Sequence, residues 1–221
     1  MRDTDLDHKN VALSKLIFRL RQSLDVYRII GLNAQAAARE SGQNVSQAFF
    51  GYVQVVAFDS VVLGISKIFE WQNPKGHKLN SISGVVALLE RHPHTALEKK
   101  AVERFGQRFG NTAECVDPTS FLRETIKAFK EGHKSALEII EQHRHSHVAH
   151  SEFDYKIESL PSLDQFEIFF EFALEFYRMI SESFVEVGPA LFHLAAGDGL
   201  IRTFKQLGIE NPKFNFPSES H

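Results

Sequence analysis

The stretch HRHSHVAHSEFD, residues 143–154, holds four of the chain's eleven histidines within eight residues, with one arginine among them. Histidine binds metals and transfers protons near neutral pH, because its unperturbed pKa is about 6.5. Arginine stays charged and binds phosphate oxygens through two parallel hydrogen bonds. The segment is therefore a candidate metal site, a candidate acid–base centre or a solvated helix end.

The metal hypothesis rests on helical spacing. On a continuous helix His143, His147 and His150 lie on one face, because they are four and three residues apart. Three imidazoles with a nearby carboxylate can bind zinc. However, the fixed charge of Arg144 disfavours a dication beside it, and the spacing matches none of the common zinc motifs. A metal-binding protein is therefore the third alternative, and we expect no metal and no cofactor.

The helix-end hypothesis explains the histidines better than the arginine. Histidines near a helix C-terminus interact favourably with the exposed carbonyl groups, which suits His143. Arg144, in contrast, continues the apolar stripe of the preceding helix at steps of three or four residues, after Leu122, Ile126, Phe129, His133, Leu137 and Ile140. An arginine on an inward face favours a functional role for Arg144.

The segment RHSHVAH has an arginine, a polar residue directly after it, and a histidine six positions on. It resembles the R-x(4–6)-H motif of the HEPN superfamily. The longer RHSHVAHSEFD resembles the abortive-infection AbiU-like branch of that superfamily. The apolar segment VVAFDSVVLGISKIFE, with its early aspartate, is similar to an early helix of the same branch. The family commonly has Asn after the arginine, where this chain has His145, which can also donate and accept hydrogen bonds.

The resemblance implies metal-independent cleavage of RNA, in which the 2′-OH of the substrate attacks the adjacent phosphate. In that chemistry His150 is the acid or the base, and Arg144 binds the phosphate. His145 positions one of the two, and His147 is a further supporting residue. A non-catalytic HEPN-like module that binds a nucleotide, RNA or a protein without cutting is the second alternative.

The resemblance also implies an assembly. On a straight helix, residues six apart are rotated by about 240° from each other. One chain would have difficulty directing both Arg144 and His150 at one phosphate. HEPN domains overcome this by a helix break and by dimerising, so we expect a homodimer. The expected biology is that of a toxin or phage-defence effector acting on RNA, with an antitoxin protein as a candidate partner.

Helical periodicity dominates the chain and predicts an all-α, HEPN-like fold. We expect an up-and-down bundle of four to five main helices with short inserted helices. The expected bounds are about Asp7–Arg39, Asn44–Trp71, Ser81–Arg91, Thr95–Phe105, Pro118–Arg144, Ser162–Val187 and Ala190–Leu207. A stripe of phenylalanines in the helix after Pro161 predicts core packing. We expect one domain over residues 1–210 and an irregular tail over 211–221.

Asp59 lies in the apolar segment Phe49–Trp71, which we interpret as a core helix rather than a membrane span. A buried carboxylate without a partner costs several kcal/mol. Asp59 is therefore predicted either to bond to local donors or to support the site by pairing with Arg144 or a histidine of the cluster.

The formal charge of −3 excludes the bulk positive field that drives non-specific nucleic-acid binding. A single cysteine, Cys115, excludes an internal disulfide and suits a reducing compartment. The polar, acidic N-terminus is unlike a signal peptide. We expect a cytoplasmic protein that does not bind membranes.

Overall fold

The computed structural model describes residues 4–41, 43–70, 79–91, 97–149, 161–184, 195–209 and 212–213. These residues contain no strand, which confirms the predicted all-α fold. The elements in chain order are α1 (Thr4–Ser41), α2 (Gln43–Phe69), α3 (Ile82–Arg91), α4 (Lys99–Arg108), α5 (Pro118–Gly132), α6 (Lys134–His143), the π-helical segment π1 (Arg144–Ala149), α7 (Leu163–Phe184) and α8 (Ala195–Gln206).

Two of the predicted helix starts are confirmed by their caps. Asp117 Oδ2 accepts a hydrogen bond from the Ser120 backbone N–H at 2.9 Å, and Pro118 occupies the first turn of α5. Ser81 Oγ accepts from the Gly84 N–H at 3.2 Å at the start of α3. Each bond satisfies a donor that the first helical turn leaves without an intrahelical partner.

Two predicted helix bounds are wrong. The fourth helix begins at Lys99 rather than near Thr95, because Glu98 is its N-cap and accepts from the Lys100 N–H at 3.3 Å. The helix expected to be continuous from Pro118 to Arg144 ends at Gly132. Glycine is a poor helix former, and the N–H of His133 caps this end by donating to the Phe129 and Lys130 carbonyls. A new helix, α6, then begins at Lys134.

The chain divides into two compact units, one of residues 1–18 with 62–191 and one of residues 19–61 with 192–221. We refer to them as the first and the second unit. Helices α1 and α2 each contribute residues to both units, so the polypeptide crosses between the units within helices.

The core of the first unit is aromatic. The rings of Phe129 in α5 and Phe172 in α7 stack with their centroids 3.8 Å apart, and Phe69 and Phe105 pack around this pair. The phenylalanine stripe of α7 is buried, which confirms its predicted packing role. Helix α4 packs against α5 and α7, and Gly106 permits the close approach to α5, because a Cβ there would lie 2.2 Å from Cε1 of Phe121.

The second unit has its own apolar core, formed by Ile29, Ile30, Ala37, Phe50, Phe204 and Ile209. Asn33 ties residue 213 to α1: its amide Nδ2 donates to the Lys213 carbonyl at 3.0 Å, and its Oδ1 accepts from the Lys213 N–H at 2.7 Å. Asp25, also buried, accepts from Arg21 Nε and Arg28 Nη2, each at 3.1 Å.

Helix α2 is only partly a core helix. By length and composition, Ala48–Phe69 is apolar enough to cross a membrane, but one such helix is weak evidence of a span, and 33% of its most apolar window is buried. Its N-terminal half exposes a row of large apolar side chains, Phe49, Tyr52, Val55 and Val56. This exposed row was not expected from the sequence, which predicted a fully buried helix.

Candidate active site

The histidine-rich segment begins where α6 ends. Helix α6 buries Ala136, Ile140 and His143, three- and four-residue steps that keep one side against the rest of the first unit. His143 is the last α-helical residue and is 1% exposed. It is therefore a helix-end residue, as predicted, but it lies in the core rather than at a solvated surface.

The helix changes its winding at Arg144. Residues Arg144–Ala149 form a π-helical segment, in which hydrogen bonds join residues five apart instead of four. This winding is rare and is frequently found at functional sites. The Arg144 N–H still donates to the Ile140 and Glu141 carbonyls, so Arg144 lies at the junction of the two windings. The helix is therefore not straight at the motif, as the sequence analysis assumed, but changes its pitch locally.

Arg144 keeps a partly accessible side chain. It is 29% exposed, and its Nη2 lies 3.7 Å from Oε1 of Glu141, one turn earlier on α6. Because Glu141 is 73% exposed, water screens this ion pair and leaves it weak. The guanidinium therefore retains donors for an incoming anion.

The structure describes the other predicted site residues with different completeness. His145 is exposed, and Ser146 next to it is buried. His147 belongs to π1, where only its backbone is described, and His150 lies outside the described residues. The predicted convergence of Arg144 and His150 therefore remains a prediction.

Asp59 is partly exposed on α2 and belongs to the second unit, whereas Arg144 belongs to the first. Its predicted pairing with Arg144 or a histidine of the cluster likewise remains a prediction. Among the described residues, no group of three or more His, Cys, Asp or Glu side chains could hold a metal ion. The three-histidine metal hypothesis includes His150, so that observation does not test it.

Arg144 borders a pocket of about 270 Å³. Its apolar wall includes Phe69, Leu137 and Ile140, and its polar lining comes from the ends of α2 and α5 and from one side of α6. Two cations besides Arg144 line it, Lys130 and Lys134. A small, partly open pocket therefore lies directly beside the predicted phosphate-binding arginine.

Lys130 is a residue of this pocket that the sequence analysis did not single out. It is 6% exposed, and its Nζ donates to the Phe69 carbonyl at 2.8 Å and to Ser83 Oγ at 3.4 Å. Phe69 ends α2, so its carbonyl has no intrahelical donor, and the ammonium group supplies one. Burial lowers the pKa of Lys130 from 10.5 to about 8, against the opposing effect of Glu141.

A signal for Lys130 was present in the sequence. It follows Phe129 and lies four residues after Ile126, which places it on the buried side of α5. A lysine at such a position has to be satisfied by local acceptors, since an ammonium group is costly to bury. Its particular acceptors, a carbonyl of α2 and a hydroxyl of α3, come from the tertiary fold and have no sequence pattern.

Comparison with known proteins identifies a family. The family model for AbiU2, of the HEPN type, matches residues 3–183. This range includes α1 to α6, all but the last residue of α7, and the whole histidine-rich segment. Neither the search of curated proteins nor the search of solved structures found a match.

Proposed function

Because the chain belongs to the AbiU2 family of HEPN domains, a family of the abortive-infection context, we propose that it is a metal-independent endoribonuclease and a phage-defence or toxin effector. The observation that supports the proposal best is the position of Arg144. It is the first residue of π1, partly exposed, and borders a pocket large enough for part of a nucleotide.

The proposed reaction uses a nucleophile that RNA itself carries. A base removes the proton of the 2′-OH, the 2′-oxygen bonds to the adjacent phosphorus, and the bond to the 5′-oxygen breaks as an acid protonates it. The products are a 2′,3′-cyclic phosphate and a 5′-OH. His150 serves as the acid or the base, because imidazole exchanges protons near neutral pH, and Arg144 stabilises the charge that develops on the phosphate oxygens.

His145, His147 and Asp59 complete the proposed site as supporting residues. His145 stands where the family commonly has Asn, and its exposed ring follows Arg144 directly. An asparagine amide supplies a hydrogen-bond donor and an acceptor, as a neutral imidazole does. His145→Asn is therefore expected to retain cleavage.

The test is cleavage of a single-stranded RNA by the purified full-length chain, in the presence of EDTA. Arg144→Ala and His150→Ala are each expected to lower the rate by at least about a hundredfold. Arg202→Ala and His8→Ala change exposed residues of the same types and are expected to leave it intact. Far-UV circular dichroism confirms that each variant is folded.

Three outcomes contradict the proposal. Cleavage that survives in both motif variants would remove Arg144 and His150 from the mechanism. RNA affinity without turnover would identify a non-catalytic binding module. Loss of activity in EDTA, with stoichiometric metal in the purified chain, would revive the histidine metal site. Growth arrest on expression, relieved by a neighbouring gene, would support the toxin role and its antitoxin partner.

A homodimer is part of the proposal, and the exposed row on α2 is its candidate interface. Phe49, Tyr52, Val55 and Val56 are 44–70% exposed, and residues 49–56 include no charged side chain. A second copy can therefore pack its own α2 against this row without like-charge repulsion, burying apolar surface on both sides.

Light scattering tests the assembly. The wild-type chain is expected to have the mass of a dimer, and Tyr52→Glu is expected to give a monomer, because it would bring two carboxylates together in an apolar interface. Glu124→Gln, an exposed change on α5, is the control and is expected to remain dimeric. A monomeric wild-type chain, or a dimeric Tyr52→Glu chain, would contradict this interface.

A further inference from the structure

Glu141 interacts with two of the cations that line the pocket. Its Oε1 lies 3.7 Å from Nη2 of Arg144, which is three residues further along the chain. Its charge also raises the pKa of Lys130, against the effect of burial. Glu141, Lys130 and Arg144 all line the same pocket of about 270 Å³. One carboxylate therefore interacts with a permanent cation and with a cation that can lose its charge.

The two cations differ in how they are held and in whether they titrate. Lys130 is 6% exposed, and its Nζ is fixed by the Phe69 carbonyl and Ser83 Oγ. Its pKa of about 8 means that it loses its charge between pH 7 and 9. A neutral amine still has two N–H donors, enough for both oxygens, so Lys130 can lose its charge without losing its position. Arg144 is 29% exposed and stays charged throughout this range.

Other charged groups also lie around Lys130, and one of them is a matched control. The charged residues that line the pocket with Lys130 come from the position after α2, from α5, from α6 and from π1, and are Glu70, Glu131, Lys134, Glu138, Glu141 and Arg144. Helix α3 contributes the neutral Ser83. Glu138 lies on the same helix as Glu141 and lines the same pocket. Among the described residues, however, it has neither of the interactions that Glu141 has with Arg144 and Lys130.

We propose that Glu141 is a positioning residue that couples the charge of Lys130 to the availability of Arg144 for an RNA phosphate. The side chain of Glu141 is 73% exposed, so its carboxylate can turn toward either cation. A charged Lys130 attracts the carboxylate, and Arg144 is then held less strongly and binds phosphate more readily. When Lys130 is neutral, Glu141 turns to Arg144 and competes with the phosphate. The inference rests on the proposed role of Arg144 in binding RNA.

The coupling is measured first without RNA. In the full-length chain labelled with ¹³C-lysine, NMR follows the titration of Lys130 at Cε, and the signal that is lost in Lys130→Gln identifies it. Glu141→Gln is expected to lower the pKa of Lys130, because it removes the charge that raises this pKa. Glu138→Gln is expected to leave it unchanged. Arg144→Gln is expected to raise it, since Glu141 is then no longer shared, and this increase is expected to disappear when Glu141→Gln is also present.

Binding of RNA supplies the second measurement. The probe is a single-stranded RNA with 2′-O-methyl groups, which lacks the nucleophile and cannot be cut. Its affinity for the wild-type chain is expected to fall about threefold between pH 7 and 9, the scale of one weak ion pair. Lys130→Gln is neutral at every pH but still supplies a donor. It is expected to bind about threefold more weakly than wild type at pH 7 and to show no such fall. When Glu141→Gln is also present, Lys130→Gln is expected to have no effect on affinity.

The outcomes separate the coupling from the ribonuclease proposal. A pKa of Lys130 that is the same in wild type and in Glu141→Gln overturns the coupling. Equal weakening of RNA binding by Lys130→Gln with and without Glu141 also overturns it, because Lys130 would then act on the RNA directly. Cleavage that requires Arg144 in such a chain leaves the ribonuclease proposal standing. Both measured couplings in a chain that binds RNA without cutting it support the inference and overturn the ribonuclease proposal.

Discussion

Asp25 in the second unit and Lys130 in the first are both ionisable groups withdrawn from water, 1% and 6% exposed respectively. Asp25 is compensated by charge, since Arg21 and Arg28 both donate to its carboxylate. Lys130 is compensated by neutral oxygens, the Phe69 carbonyl and the Ser83 hydroxyl. One site is an ion triad along a single helix, and the other joins three helices through one ammonium group.

The pKa of each group shows how charged and neutral partners affect a buried ionisable side chain. Burial raises the pKa of Asp25 above 3.8, although both arginines oppose the change. Burial lowers the pKa of Lys130 from 10.5 to about 8, opposed by the charge of Glu141. In both sites desolvation favours the neutral form. The two arginines, one turn from Asp25, limit the shift of its pKa. The neutral oxygens around Lys130 accept its hydrogen bonds but leave much of the cost of removing the ammonium group from water.

The largest expected effect comes from breaking the ion triad. Asp25→Ala leaves the buried Arg28 and its neighbour Arg21 without their shared carboxylate, and we expect a loss of about 3–5 kcal/mol in the free energy of unfolding. Urea unfolding followed by circular dichroism measures it, with the exposed Glu124→Ala as the control, expected within about 0.5 kcal/mol of wild type. In the double variant Asp25→Leu/Arg28→Met we expect most of this loss of stability to be recovered. If the double variant lost as much stability as Asp25→Leu and Arg28→Met lose together, the coupling would be refuted.

The next effect is the pH dependence of Lys130. Its folded-state pKa lies below that of the unfolded chain, so its contribution to stability is full above pH 10.5 and is lost as the pH falls through about 8. The stability of wild type relative to Lys130→Met is expected to increase by up to about 3 kcal/mol between pH 7.5 and 10. Lys127→Met, an exposed change on the same helix, is expected to show no such increase. A flat difference for Lys130→Met would mean that the ammonium group is not desolvated.

The smallest effect belongs to an exposed aspartate. Asp117 caps α5 through its bond to the Ser120 N–H, and Asp117→Ala is expected to cost about 1 kcal/mol. A hydrogen bond from the Ser120 side chain, followed by this backbone bond, lowers the pKa of Asp117. The contribution of Asp117 is therefore present above the unfolded pKa and is lost as the pH falls through the folded one. Chemical denaturation across pH 3–6 measures the difference between wild type and Asp117→Asn, which should grow with rising pH.

Asp25 should behave in the opposite way over the same range. Because its folded-state pKa is raised, its contribution is full below the unfolded pKa and is lost as the pH rises through the folded value. The stability of wild type relative to Asp25→Asn is therefore expected to decrease with rising pH. If the two aspartates gave slopes of the same sign, the contrast between a desolvated and a capping carboxylate would be wrong.

Sequence periodicity predicted the helices well where one side of a helix is buried. The phenylalanines of α7 and the cap at Asp117 were both placed correctly, because spacing and capping are local properties. The break at Gly132 was not predicted, since the apolar stripe continues through it. A helix break at the motif was implied by the resemblance, but the π winding from Arg144 was not predicted.

The candidate site was predicted in part for a related reason. Arg144 was identified because an arginine in an apolar stripe is conspicuous in the sequence. The pocket was not identified from the sequence, because it is formed by α2, α5 and α6 together and its residues are far apart along the chain. The same is true of Lys130, whose acceptors lie 61 and 47 residues away.

The amide of Asn33 has a consequence for how the sequence can vary. Its two amide hydrogens bond to the Ile29 and Lys213 carbonyls, and its oxygen accepts from the Lys213 N–H. Both bonds at position 213 involve only the backbone C=O and N–H. Any residue except proline can therefore form them, since proline lacks the N–H. At position 33 aspartate lacks the two donors, and only an amide supplies donor and acceptor together. Homologues should therefore keep asparagine at position 33, whereas position 213 can vary among all residues except proline.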